Sequence, residues 1–172
     1  MEQINIQRAI DTLNLEAQAV KDQIKHLDDQ FIKAVSLIEK SSGRVVIIGL
    51  GKSGHIGRKI AATMASIGVP AIYLHPAECL HGDLGMIMKG DVVVMLSYSG
   101  ETEEIKQVLP VLQKMNLKII AITGKTDSPT WKNCDVIIDS SVEKEACSYN
   151  LAPTSSTTAL LALGDALALV LS

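Results

Sequence analysis

A glycine-rich stretch set between an apolar run and a helical pattern constrains the fold of this chain more than any other feature. Residues 45–48 read VVII, residues 49–57 read GLGKSGHIG, and a helical pattern of apolar residues begins near Ile56. Glycines such as Gly51 let the backbone approach an anion, a helix start offers free N–H groups and the positive end of its dipole, and Lys52 adds a full charge. The stretch predicts a strand, a phosphate-binding loop and a helix in succession.

Two known kinds of phosphate loop fit this stretch poorly. A loop for nucleoside triphosphates needs a glycine where Val46 stands. The glycines do match the dinucleotide spacing, but that site needs an acidic residue at the end of the next strand, and the predicted second strand runs into His75 instead. A phosphorylated small molecule is therefore favoured over a nucleotide.

The bulk properties are typical of a single small-molecule-binding domain. The 172 residues, of which 47% are hydrophobic, suffice for one well-packed domain. A net charge of −3 with scattered lysines disfavours nucleic acid as a partner. The three cysteines have no metal-ligand spacing and indicate a reducing compartment, most simply the cytoplasm. No apolar run is long enough to span a bilayer, so no membrane is expected as a partner. With 3% aromatic residues, stacking on a base is not expected, and a sugar or simple phosphate suits the chain better.

The amino-terminal region, residues 1–42, carries a helical pattern of its own. Apolar residues stand three or four apart at positions 10, 13, 17, 20, 24, 27 and 31, as in a heptad seam. The pattern predicts one long helix or two in line. Two uses of this pattern are equally consistent with the sequence: packing against another subunit, or packing as an amphipathic helix on the domain's own sheet.

Strands and helices then alternate over residues 43–172. Strands are predicted at 44–48, 71–74, 91–96, 118–122 and 135–138, and helices at 56–67, 101–115, 129–132 and 154–171. Continuous apolar strands separated by helices indicate an α/β fold in which helices cover both faces of a parallel sheet. Ligands of such sheets bind at the carboxyl ends of the strands, where the glycine loop falls.

A turn rich in hydroxyl groups, SYSGET at residues 97–102, follows the third predicted strand at the same edge. Its hydroxyl and N–H groups suit the oxygens of a phosphate. Taken alone, Ser99 would be interpreted as a simple helix cap. Beside the glycine loop, a second phosphate contact is the better interpretation.

Three longer motifs make a family resemblance specific: GKSGHIGRK at 51–59, HGDLGM at 81–86 and LAPTSSTT at 151–158. Together with the paired loops they resemble the sugar isomerase (SIS) domain family, and within it the arabinose-5-phosphate isomerases, from about residue 43 onward. The resemblance implies a five-stranded flavodoxin-like sheet and a homotetramer. It also implies interconversion of D-ribulose 5-phosphate and D-arabinose 5-phosphate without a cofactor, serving the KDO of lipopolysaccharide or capsule.

The resemblance also assigns roles to individual residues. Glu145 is expected to move the proton between neighbouring carbons through an enediol, and Lys52 to stabilise the enediolate oxygen. Glu104 would orient hydroxyls or Lys52, although it could be only a first-turn acid. His81 would relay the ring-opening proton, although a loop histidine is more often just hydrogen-bonded locally. The residues expected to bind the substrate are Gly51, Ser53, Ser97, Ser99, Gly100, Thr102, His75 and Ser155.

Two departures from these isomerases keep other functions open. The chain lacks the CBS regulatory module and the histidine that relatives carry beyond the last helix, so it is either naturally minimal or a truncated domain. Tyr98, where relatives often have asparagine, is a smaller departure. A non-catalytic phosphosugar sensor and an isomerase of another sugar phosphate are the alternatives. His75, Glu78, His81 and Asp83 could suggest a metal site, but the reaction needs no metal and none is expected.

Overall fold

The computed structural model describes residues 6–147, 149 and 151–172. These residues form six helices, five strands and three short 3-10 turns; two of the helices make up the amino-terminal region, and the other four alternate with the strands after it. The helices are α1 (Ile6–Asp22), α2 (Asp29–Glu39), α3 (Gly51–Ser66), α4 (Pro76–Leu80), α5 (Glu103–Lys114) and α6 (Ser155–Val170). The strands are β1 (Val45–Gly49), β2 (Ala71–Leu74), β3 (Val92–Leu96), β4 (Lys118–Thr123) and β5 (Val136–Asp139), and the 3-10 turns are Gln23–His26, Asp83–Met86 and Pro129–Trp131.

The five strands form one parallel sheet in the order β2-β1-β3-β4-β5, in which each pair is parallel. β1 and β3 are buried at every residue, because helices cover both faces. Valine and isoleucine dominate these strands, and their branched side chains pack well on a pleated surface. The prediction of a five-stranded, flavodoxin-like α/β fold is confirmed, and each strand lies within one residue of its predicted limits.

Each face of the sheet has its own apolar layer. One layer joins α2, α3 and α6 to the sheet, with Phe31, Ile60 and Leu163 among its buried side chains. The other joins α4 and α5 to the sheet and includes the fully buried Trp131. Because α2 contributes to the first layer, part of the amino-terminal region shares the core of the sheet; the division at residue 42 stays a prediction.

Of the two predicted alternatives for the amino terminus, one long helix or two in line, the structure has two helices, α1 and α2. Asp28 accepts hydrogen bonds from the N–H groups of Gln30 and Phe31, at 2.8 and 3.3 Å, and so begins α2 as a new helix. This break divides the apolar seam, because Phe31 is buried in the core whereas Leu13 and Ile24 remain 69% and 71% exposed. The seam therefore packs into the chain's own core at Phe31, whereas its earlier residues Leu13 and Ile24 form an exposed apolar surface.

Helix α6 packs against both α1 and α3. Thr158 of α6 donates a hydrogen bond to Glu16 of α1 at 2.8 Å. Against α3 the approach is close, because a Cβ atom at Gly164 would overlap the side chain of Ile60. None of the described helices combines the length and the apolar character that crossing a bilayer requires.

Asp91 ties the start of β3 to the start of β1. Its buried carboxylate accepts hydrogen bonds from the N–H of Arg44 at 2.7 Å and the N–H of Met88 at 2.9 Å, and it pairs with the Arg44 guanidinium at 3.2 Å. Burial raises the pKa of Asp91, but these hydrogen bonds and the Arg44 charge outweigh it and leave the pKa below its ordinary value. Asp91 is therefore a charged structural link at the edge of the sheet opposite the glycine loop.

Candidate functional site

A cleft of about 590 Å³ opens at the carboxyl edge of the sheet. Five parts of the chain line it: the start of α3, the turn after β3, the end of β4 with the loop that follows, the segment between β5 and α6, and the start of α6. Six of the residues that the sequence singles out line this cleft, namely Lys52, Ser53, Ser97, Ser99, Thr102 and Glu145. The topology thus brings together residues that are far apart along the chain.

The glycine loop is tighter than its sequence pattern predicts. α3 begins at Gly51, where φ is +58°, rather than near Ile56. A Cβ atom at Gly54 would come within 2.7 Å of the Gly49 carbonyl oxygen and of the Tyr73 hydroxyl, so a glycine is needed there. The Tyr73 hydroxyl donates to the Gly49 carbonyl at 2.7 Å. The helix therefore starts directly after the end of β1, and Lys52 and Ser53 of its first turn, where helix N–H groups have no partner within the helix, line the cleft.

The hydroxyl-rich turn presents side chains that are not used to cap α5. Ser97 is buried, and its Oγ lies 3.1 Å from Thr102 Oγ1. Thr102, not Ser99, is the N-cap residue, and its side chain makes no capping hydrogen bond. The Ser99 hydroxyl accepts a hydrogen bond from the Glu101 N–H at 3.1 Å, within the turn. These three hydroxyls line the cleft at the start of a helix, an arrangement that suits the oxygens of an anion.

A neighbouring 3-10 turn holds the hydroxyl-rich turn in place. Thr130 donates its hydroxyl to the Gly100 carbonyl at 2.7 Å. Gly100 has φ of +69°, and a Cβ atom there would lie 2.6 Å from the Ser128 hydroxyl, so the close approach requires a glycine. The turn is thus shaped before any ligand arrives.

Glu145 is held by the start of α6. Its Oε2 accepts hydrogen bonds from the Thr154 N–H at 2.7 Å, the Thr154 hydroxyl at 3.0 Å and the Ser156 N–H at 3.2 Å. Partial burial raises the pKa of Glu145, but the hydrogen bonds from Ser156 and Thr154 outweigh this effect and leave the pKa below its ordinary value. Glu145 is therefore a carboxylate at neutral pH, and it caps α6 where the positive end of the helix dipole lies.

The serines at the start of α6 differ in their surroundings. Ser156 lines the cleft, whereas Ser155 is fully buried beside it. Among the described residues, the Ser155 hydroxyl has no hydrogen-bond partner. Its assignment to substrate binding stays a prediction.

Three other predicted site residues are not among the described residues that line this cleft. The His75 Nδ1 accepts the Ala77 N–H at 3.3 Å and caps α4. His81 directly follows α4 and is exposed, and Glu104 lies half-buried in the first turn of α5. Their roles stay predictions, as do those of Gly51 and Gly100, which offer backbone groups.

The sequence patterns did not identify several residues that line the cleft. Lys125 follows β4 at the carboxyl edge, so the position of its strand end could have marked it. Tyr98 stands between two predicted phosphate contacts, but its long-range contacts have no signal in the sequence. Val142 likewise lines the cleft without a signal in the sequence, whereas Thr157 lies in the LAPTSSTT motif although no role is assigned to it.

Comparison with known proteins identifies the family of this chain. The SIS domain profile matches residues 37–170. The chain is 52% identical over 160 residues to arabinose 5-phosphate isomerase KdsD of Pseudomonas aeruginosa, and 49% identical over 158 residues to arabinose 5-phosphate isomerase GutQ of Escherichia coli K12. These alignments cover 93% and 92% of the chain but 49% of each relative, so the chain spans about half the length of the curated relatives it matches.

A solved structure agrees along almost the whole chain. The c3406 protein of E. coli CFT073, solved in complex with arabinose 5-phosphate, has a TM-score of 0.93 and 41% identity, covering 99% of this chain and 92% of its own. Both the sequence and the fold comparisons confirm the family predicted from the motifs. The chain belongs to the SIS domain family.

Proposed function

We propose that the chain is an aldose-ketose isomerase that interconverts D-ribulose 5-phosphate and D-arabinose 5-phosphate through an enediol, without a cofactor. The observation that carries the proposal is the meeting of the hydroxyl-rich turn, Lys52 and Glu145 in one cleft. An isomerase of this kind needs a phosphate-binding site, a base, and a positive charge near the developing enediolate. The hydroxyl-rich turn, Glu145 and Lys52 would supply these three in that order. The identity to arabinose 5-phosphate isomerases over most of the chain supports the same substrate.

The hydroxyls of Ser97, Ser99 and Thr102, with Ser53, would hold the phosphate oxygens. The substrate is thereby fixed at one end, and its reacting carbons extend toward the segment after β5. Lys52, which is exposed at the start of α3, supplies the positive charge for the enediolate oxygen.

Glu145 would transfer the proton between the two carbons. Because the hydrogen bonds from the Thr154 N–H, the Thr154 hydroxyl and the Ser156 N–H converge on Oε2, we expect the second oxygen, Oε1, to take the proton. The hydrogen bonds make the free carboxylate a weak base. A bound sugar that excludes water from the cleft would raise its pKa and so strengthen it as a base.

We also propose that the protein acts as a homotetramer in the cytoplasm and supplies D-arabinose 5-phosphate for the KDO of lipopolysaccharide or capsule. The exposed apolar side chains of the amino-terminal region support self-association; they are Ile6, Ile10, Leu13, Ile24 and Leu27. The three free cysteines fit a reducing compartment.

Conversion of phosphosugars in D2O tests the proposed reaction. The protein would be incubated with phosphosugars of different carbon number, and the products analysed for new sugars and for deuterium at C2. Interconversion of the pentose pair with deuterium at C2 is the expected result. Conversion of a longer sugar alone would identify an isomerase of another phosphate, and tight binding without any conversion would indicate a sensor.

A further inference from the structure

We propose that Tyr98 is a positioning residue that ties the phosphate-binding turn to the segment that carries Glu145. This inference rests on the proposed isomerase function. It concerns a residue that touches neither reacting carbon and acts through the backbone of its neighbours.

Tyr98 spans the cleft between two elements that are far apart in sequence. It lies between Ser97 and Ser99, the predicted phosphate contacts, and lines the cleft. Its hydroxyl oxygen accepts a hydrogen bond from the Val142 N–H at 3.3 Å. Because Val142 shortly precedes Glu145 along the chain, this bond fixes the start of the segment that carries the base.

The Tyr98 ring has a defined position, as a positioning residue requires. The Tyr98 carbonyl accepts hydrogen bonds from the Gly124 N–H at 3.0 Å and from the Thr123 hydroxyl at 3.2 Å. The ring lies directly against Gly124, where a Cβ atom would overlap it. The end of β4 therefore holds both the backbone and the ring of Tyr98.

The amino-terminal region also makes a hydrogen bond to the segment after β5. Gln23 of the amino-terminal region donates its Nε2 to the Ser141 carbonyl at 3.2 Å, and the Ser141 N–H donates to Asp139 Oδ1 at 2.7 Å. The hydrogen bond between the Tyr98 hydroxyl and the Val142 N–H links the same segment to the turn proposed to bind the phosphate. A phosphate bound at the turn thus stands at a fixed distance from the base, and small errors in that distance slow proton transfer.

Replacing Tyr98 by phenylalanine removes the hydroxyl and keeps the ring. We expect kcat to fall about threefold to tenfold, in the range that one neutral hydrogen bond controls. The KM for the pentose phosphate and the inhibition constant of inorganic phosphate should stay within about twofold of the wild-type values, because the substitution leaves unchanged the serine and threonine hydroxyls proposed to bind the phosphate. Gly124→Ala, whose methyl group displaces the ring, should give the same pattern.

Tyr149→Phe is the matched control, because that side chain is 79% exposed and should leave kcat unchanged. Hydrogen exchange of the Val142 amide is the second measurement, and it should become faster in Tyr98→Phe than in the wild-type protein and in the control. Wild-type kcat in Tyr98→Phe would overturn the proposal, as would a fall in phosphate affinity equal to the fall in kcat. If the wild-type protein converts no phosphosugar, the isomerase function fails, and unchanged exchange at Val142 would then refute the positioning role separately.

Discussion

Glu145 offers the sharpest test, because it has both a chemical and a structural task. Glu145→Gln keeps an oxygen that can accept the hydrogen bonds of Thr154 and Ser156 but removes the charge and the base. We expect kcat to fall roughly 10²–10⁴-fold, the usual contribution of a positioned base. We expect the free energy of unfolding to fall by about 1 kcal/mol, from a weaker interaction with the helix dipole and from neutral instead of charge-assisted hydrogen bonds.

Glu145→Ala separates the two tasks. It removes the acceptor of the three hydrogen bonds at Oε2, whose lengths are 2.7, 3.0 and 3.2 Å. Loss of partners at a half-buried helix start should lower the free energy of unfolding by about 2–4 kcal/mol. At roughly 2–4 °C per kcal/mol for a chain of this size, Tm should fall only slightly in the glutamine variant and clearly in the alanine variant.

The assay pairs ketose formation from D-arabinose 5-phosphate with thermal unfolding of each variant. Glu39→Gln, the same chemical change on an exposed residue of α2, is the control for both measurements. Wild-type kcat in Glu145→Gln would assign the base to another residue. Equal stability of the glutamine and alanine variants would show that the carboxylate does not cap α6.

The remaining predictions concern stability, substrate binding and assembly. Asp91→Asn should lower the free energy of unfolding by about 2–3 kcal/mol, because the single oxygen of an amide cannot replace both carboxylate oxygens as acceptors for the two backbone donors. In the wild-type protein the contribution of Asp91 to stability is complete above pH 3.8, and it is lost as the pH falls through the lower pKa that Asp91 has in the folded state. Urea titrations at several pH values would test this dependence. Ser97→Ala should raise the KM about tenfold or more with little change in kcat, since the phosphate is gripped equally in the ground and transition states; a fall in kcat alone in steady-state assays would contradict this. Leu13→Asp combined with Ile24→Asp should give folded monomers in light scattering, whereas an unchanged mass would exclude this surface from the interface.

The sheet and much of the cleft could be predicted from the sequence because their signals are local. Apolar runs rich in valine and isoleucine define the strands, and a parallel sheet brings the following loops to one edge. The start of α3 was predicted too late, because Gly51, Gly54 and Gly57 have low intrinsic helix propensity. The packing of Gly54 against Gly49 and Tyr73 overrides that propensity, and such packing depends on residues distant in sequence.

The same limit applies to the amino-terminal seam and to Tyr98. The spacing of the seam continues through Asp28, and only the hydrogen bonds of that carboxylate to the next turn show that a new helix begins there. In the sequence, Tyr98 stands out only as a minor departure from the family that the motifs resemble. Its bond to Val142 joins parts of the chain that no short pattern connects.

The close contact of Gly164 with Ile60 has a consequence for the cleft, although both residues lie in the core. α3 and α6 both begin at the cleft, so the spacing of their axes sets the separation between Lys52 and Ser156. Gly164 lies about 13.5 Å along α6 from its first residue, at about 1.5 Å per residue, and a side chain there would overlap that of Ile60, so that either the Ile60 side chain or the two helices would have to move. The width of the cleft therefore depends partly on close packing within the core, at a residue that does not line the cleft.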